Sequence, residues 1–117
     1  MKRNEAQRKE LRLANFRFYG APSAIFLFID RSLGSWSVFD MGLFAQTVAL
    51  AAHSLGLGTC LQASLANYPD AVREFFGIPN TKLLLMGISI GYPDAEAMIN
   101  TYQATRLTPA DFTKWVG

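Results

Sequence analysis

The chain has 117 residues, half of them hydrophobic and 17% charged, which fits one compact, well-buried domain spanning 1–117. A domain of this size buries roughly two thirds of its unfolded surface, so its core margin is modest. A single cysteine excludes an intramolecular disulfide, and the net charge of +2 is small as a total but unevenly placed.

Residues 3 to 13 read as a charged helix. Lys2, Arg3, Arg8, Lys9, Arg12 and Arg17 stand against Glu5 and Glu10 in the first 17 positions, a net of +4 that leaves −2 for the remainder. A basic arm over about 1–14 could touch nucleic acid or phosphate. The plainer reading is a solvated helix with Glu5 and Lys9 at i,i+4, and no nucleic-acid partner is expected. The N-terminus lacks an apolar signal core and a cleavage site, which points to the cytoplasm. Ala24 to Asp30, AIFLFID, is short and rich in Ile and Phe, as a buried strand requires. Gly20-Ala21-Pro22 punctuates the chain before it, and Arg31 to Ser35 forms a loop.

Residues 41 to 69 contain no Asp, Glu, Lys or Arg. Ser37 with Asp40 resembles a capping box and predicts a helix over about Val38–Leu55, stopped by Gly56. Gln46, Thr47, His53 and Ser54 argue against a membrane span here. A helix apolar on all sides needs partners on all sides, and a second subunit is the expected one. Leu57 to Leu61 reads as extended. Asn67 or Tyr68 caps a further helix with Pro69 in its first turn and Gly77 at its end. Lys82 to Tyr92 is the second strong strand, Asn100 to Leu107 an extended tail, and Thr108 caps a final short helix through Pro109 and Asp111. Two apolar strands and one apolar helix share a core only when stacked as layers, so the fold class is α+β, with core strands packed against a long buried helix.

Few residues suggest chemistry. His53 has no second His and no Cys or carboxylate at i±4, so a metal site is not expected. Cys60 has no neighbouring basic group to lower its pKa and reads as a small buried thiol in a strand. Gly56-x-Gly58 follows a helix, whereas a dinucleotide fingerprint follows a strand. Leu61-Gln62-Ala63-Ser64 is more suggestive, because small residues let backbone N–H groups approach a planar ligand; its plain alternative is a strand-to-helix connector. Arg106, the only cation between Lys82 and Lys114, can clamp a phosphate or stand as a solvated charge.

Taken in order, these pieces resemble the FMN-dependent nitroreductase family. The matching residues are Asn15-Phe16-Arg17-Phe18-Tyr19-Gly20-Ala21-Pro22, Asp40-Met41-Gly42 with Gln46, and Leu50-Ala51-Ala52. They continue through Leu55-Gly56-Leu57-Gly58-Thr59-Cys60, Tyr68-Pro69 with Val72-Arg73, and Gly77-Ile78-Pro79. Gly87-Ile88-Ser89-Ile90-Gly91-Tyr92-Pro93 and Asn100 with Thr105-Arg106 complete the match. The resemblance implies a truncated nitroreductase-like fold corresponding to the C-terminal half of the family domain. In that family an Arg-rich, Ser-containing N-terminal segment grips the FMN phosphate and ribityl chain, and residues 2 to 12 do not match it. The resemblance further implies a homodimer holding FMN, with Leu61, Gln62, Ala63 and Ser64 lining the isoalloxazine, a backbone N–H near Ala63 facing N5, and Arg106 at the phosphate. The implied activity passes hydride from NAD(P)H through FMN to a nitroaromatic, quinone or similar small-molecule acceptor, with no catalytic side chain. The competing expectation is a non-catalytic dimeric scaffold that retains half the fold.

Overall fold

A computed structural model describes residues 4–102 and 104–117; Lys2 and Arg3 of the basic arm and Gln103 of the tail lie outside them. Helix α1 (Glu5–Phe16) is opened by a capping box that sequence reading passed over. Gln7 N donates to Asn4 Oδ1 at 2.9 Å and Asn4 N to Gln7 Oε1 at 3.1 Å. Glu10 pairs with Arg17 at 2.9 Å, and the expected Glu5–Lys9 pair is absent among the described residues. A 3₁₀ turn, Phe18–Gly20, follows with Phe18 and Tyr19 both left-handed at φ 54° and 53°.

Three strands form one antiparallel sheet in the order β1 (Ser23–Asp30), β3 (Lys82–Gly91), β2 (Gly58–Gln62). The two strands expected from apolar runs are therefore direct neighbours, and β3 takes the centre because it is the longest and most buried. Helix α2 (Ser35–Ser54) lies on one face. It packs Met41, Ala45 and Val48 against Ile25, Leu27, Met86 and Ile88, the last fully buried. Period-two alternation sends Phe26, Gly87, Ser89 and Gln62 to the other face. There a 3₁₀ turn (Ala63–Asn67) packs on β3, α1 rests against that turn, and α3 (Pro69–Phe76) reaches the sheet through Phe76 against Phe26. Tyr68 is the N-cap of α3, Pro69 its first residue and left-handed Gly77 (φ 65°) its terminus.

Helix α2 departs from expectation in two ways. It begins at Ser35, with extended Gly34 as N-cap and no side-chain cap, so Ser37 and Asp40 are inside the helix rather than its capping box. Only Ala45 and Ala52 are buried, and Trp36, Phe39, Leu43, Leu50 and Leu55 all face outward in the single chain. The same holds downstream, where a 3₁₀ turn (Met98–Thr101) interrupts the expected extended tail and Tyr102, Leu107, Trp115 and Val116 are exposed. The final helix α4 (Pro109–Phe112) is capped by Thr108 and Asp111 as expected.

The chain exposes 9489 Å² at a mass of 13.0 kDa. A monomer of that mass is expected to expose roughly 6,300 Å². Its radius of gyration, 17.2 Å, likewise exceeds the roughly 13 Å expected of a compact chain of this length. The excess, about 3,000 Å² for one chain, is above the roughly 1,000–2,500 Å² that each partner gives to an obligate interface.

One end of the sheet is tied by charge. Lys82, first in β3, reaches Asp30, last in β1, at 3.3 Å. Asp30 also accepts from Ser32 Oγ at 2.7 Å and Ser32 N at 3.0 Å. These Ser32 bonds first, then Lys82, lower its pKa to about 2. Buried Arg73 of α3 pairs with Asp70 and turns Nη1 toward the Lys82 carbonyl.

Two outcomes follow from this packing. A Cβ on Gly87 would stand 2.3 Å from Leu65 Cδ1 inside a buried contact. Gly87→Ala is therefore expected to lower stability by about 1–3 kcal/mol, read as a lower urea midpoint at unchanged m-value. Because the folded-state pKa of Asp30 is depressed, its stabilisation is present above the ordinary carboxylate pKa and is lost as pH falls through about 2. Asp30→Asn should then lie below wild type in stability at pH 7 and converge with it near pH 2, measured by thermal unfolding across pH.

Candidate functional site

Strand β2 is an edge strand, so every second backbone amide along it points away from β3. Its last two residues, Leu61 and Gln62, run directly into the 3₁₀ turn that Ala63 opens. The four candidate residues are thus contiguous at the junction, and they divide by direction. Leu61, paired with Ile88, belongs to the α2 face and is half exposed; Ala63 is exposed. Gln62 is buried at 2% exposure, and its amide is consumed inside the protein. Gln62 Nε2 donates to the Asn15 carbonyl at 2.9 Å, and Gln62 Oε1 accepts from Ser89 Oγ. Ser64 Oγ donates to Asn15 Oδ1 at 2.8 Å. The junction therefore leaves Leu61 and Ala63 outward and turns the polar side chains of Gln62 and Ser64 inward.

That arrangement fits a flat, largely apolar ring. A planar ligand needs close backbone approach, which Ala63 permits, and fixed donors, which the locked Gln62 and Ser64 side chains make possible by immobilising the main chain. The residue expected at a phosphate is not built in to the same degree. Arg106 is exposed in the tail, and its hydrogen bonds go to the carbonyls of Ala104 and Thr105, both at 3.2 Å. Its guanidinium retains further donors for an anion.

The remaining candidates do less. Cys60 lies in β2 as expected but is exposed rather than buried, because β2 has no covering layer on its outer edge. Partial burial pushes its thiol pKa up, opposite to what a nucleophile needs. His53 occupies the last turn of α2. Among the described residues no three His, Cys, Asp or Glu side chains gather to hold a metal ion, and no helix is long and apolar enough to cross a membrane.

Two features escaped sequence reading. Asn15 organises the junction from 47 and 49 positions away, a separation that leaves no local signal. An open apolar cavity of about 470 Å³ lies on the sheet face opposite α2, between Phe18 and Phe26 on one side and Val72, Phe75 and Phe76 on the other. Phe26 meets Phe18 edge to face and Phe76 at a tilt, with centroids 6.1 and 5.3 Å apart. The cavity shares no lining residue with the junction.

The nitroreductase family model matches residues 1–92. The chain belongs to the nitroreductase family. It is 35% identical over 114 residues to a 4-nitrobenzoate reductase of Pseudomonas putida, covering 97% of this chain and 50% of that protein. In solved structures it superposes on an FMN- and NADPH-dependent nitroreductase, NfnB, of Sphigopyxis sp. strain HMH with TM-score 0.95 and 32% identity, over 100% of this chain and 52% of the other. NfnB of Mycobacterium smegmatis, an FMN-dependent nitroreductase solved in complex with NADPH, gives TM-score 0.93 and 34% identity, over 100% and 53%. The nitroreductase-like α+β fold is thus that of the chain, which spans about half the length of the relatives it matches.

Proposed function

We propose that this chain forms the ring-binding part of an FMN-dependent oxidoreductase of the nitroreductase type, cytoplasmic and homodimeric. The observation that carries the reading is the Leu61–Ser64 junction, where Leu61 and Ala63 stand outward and the polar side chains of Gln62 and Ser64 are turned inward. It stands within a fold that superposes over its full length on FMN-dependent relatives. In this reading Leu61, Gln62, Ala63 and Ser64 hold the isoalloxazine, Gln62 and Ser64 through their main chain, and Arg106 meets the phosphate. The chemistry FMN supplies when bound is hydride acceptance from NAD(P)H and delivery to a nitroaromatic, quinone or similar acceptor. The chain's own residues bind, orient and supply main-chain donors, so no titrating side chain is required.

The excess surface supports self-association. Helix α2 carries no charge from Met41 onward and turns Phe39, Leu43 and Leu50 to solvent in the single chain. An apolar face of this extent marks an interface, and a twofold dimer is the usual closed solution. A scaffold reading rests on one observation: among the described residues, Arg106 is held only by carbonyls of its own tail.

Two experiments separate these readings. Titration with FMN, followed by flavin fluorescence, should show saturable binding that Arg106→Ala weakens about 10- to 100-fold, the worth of one charge-assisted hydrogen bond of about 1.5–3 kcal/mol. Equal binding by both proteins removes Arg106 from the phosphate; no binding at millimolar FMN by a folded chain leaves the scaffold. Sedimentation equilibrium should give a dimer at micromolar concentration. Leu50→Glu should shift it to monomer without loss of helical circular dichroism, and an unshifted dimer would place the interface elsewhere.

A further inference from the structure

The junction is unusual in being an edge-strand terminus whose backbone is fixed from outside its own sheet. Gln62, at φ −124° and ψ 89°, is in neither helical nor regular strand geometry. An edge terminus of this kind is ordinarily among the first segments to open. Here three donor contacts from it converge on one residue. Gln62 Nε2 lies 2.9 Å from the Asn15 carbonyl and 3.4 Å from Asn15 Oδ1, and Ser64 Oγ lies 2.8 Å from the same Oδ1. The acceptor is itself aimed, because Asn15 Nδ2 donates to the Leu11 carbonyl at 3.2 Å and thereby holds the side chain against the last turn of α1. From the opposite side Ser89 of β3 donates to Gln62 Oε1.

We propose that Asn15 is a positioning residue for the cofactor ring: it sets the backbone of Leu61–Ser64 through Gln62 and Ser64, without touching the ligand. This rests on the flavin reading of the junction given above. Both polar atoms of the Asn15 side chain are occupied within the protein, so its effect on a ligand is transmitted through the two side chains it holds. The consequence is chemical. A main-chain donor stabilises a ring only if it is already in place when charge develops there, and Asn15 supplies that order from an element outside the sheet.

The test uses the full chain and two measurements, one independent of flavin. Amide hydrogen exchange of residues 61–64 is expected to quicken about tenfold in Asn15→Ala and in Ser64→Ala, and to stay near wild type in Ser64→Thr, which retains the hydroxyl. FMN affinity should fall about tenfold in the same two variants, with a changed absorbance spectrum of the bound flavin, and recover in Ser64→Thr. The double variant should be no worse than Asn15→Ala alone, since both remove one shared contact. Leu84→Ala, a core change that touches none of these groups, should lower the unfolding midpoint yet leave the affinity of the folded protein unchanged. Asn15→Ala keeps the main-chain carbonyl that Gln62 reaches and removes the Oδ1 contacts, so unaltered exchange at 61–64 in this variant would overturn the positioning role of the Asn15 side chain. Quickened exchange with unaltered FMN affinity and spectrum would overturn its bearing on the ring. Absence of FMN binding by the wild-type chain would overturn the flavin reading and this proposal with it, while the exchange data would still report whether Asn15 holds the junction.

Discussion

Three consecutive residues of β3 hold the layers together, and each does so by a different interaction. Ile88 is fully buried under α2, where Ala45 lets the helix approach closely. Gly87, one residue earlier, faces the other way and has no Cβ, which leaves the space Leu65 fills. Ser89 faces the same way and holds the Gln62 amide. A central strand must satisfy two faces at once, and this one does so by alternating a bulky apolar residue with a missing and a polar side chain. The position of the 3₁₀ turn, and through it the direction of the β2 terminus, depends on that alternation.

The chain keeps the shape of its relatives while lacking half their length, and the two facts meet in its surface. A TM-score of 0.95 over the full chain goes with an exposed area well above that of a monomer of its mass. Contacts within single elements and between neighbouring strands contribute to the retained shape. The α1 capping box, the αL terminus of α3 at Gly77, and the Asp30–Lys82 pair each lie within one element or between adjacent ones. The uncovered groups are of another kind: Trp36, Phe39 and Leu50 on α2, the phenyl-lined cavity on the opposite face, and the aromatic tail. Leaving large apolar side chains in water forfeits roughly 1.5–3 kcal/mol each. Surfaces so placed on both faces of the sheet ask for more cover than a single twofold contact provides.

Sequence reading found the parts whose physics is local. Period and composition located both long strands, Gly56 and Gly77 marked helix ends, and Thr108 with Asp111 announced its short helix correctly. It failed where tertiary context overruled a local signal. Ser37 and Asp40 have capping spacing, yet the backbone turns helical at Ser35 because extended Gly34 already redirects the chain. Cys60 has the composition of a buried thiol, yet edge placement exposes it, and edge placement is a property of strand order rather than of the strand. The left-handed pair Phe18–Tyr19 had no signal beyond the Gly20-Ala21-Pro22 punctuation after it. At the junction, the small residues of Leu61–Ser64 were legible, but the inward direction of Gln62 and Ser64 was not, because their acceptor belongs to α1.

A search for reactive side chains therefore has little to find at this junction, and the reason is structural rather than a matter of signal strength. The polar side chains present are spent on fixing the backbone, and the side chains left outward, Leu61 and Ala63, are hydrocarbon. Such a surface has no pKa to tune and no nucleophile to activate. Its discriminating property is the constancy of its shape, which is set by hydrogen bonds reaching to α1 and β3. Arg106 is the complement: an exposed cation on the tail, with Nη1 donating to the neighbouring Ala104 and Thr105 carbonyls. In the proposed reading an uncharged platform paired with a separate cation divides recognition in two, with the platform meeting a flat ring and the tail an anion. Neither half constrains the other through a direct contact, so changes at Asn15 and at Arg106 should act on ligand affinity additively.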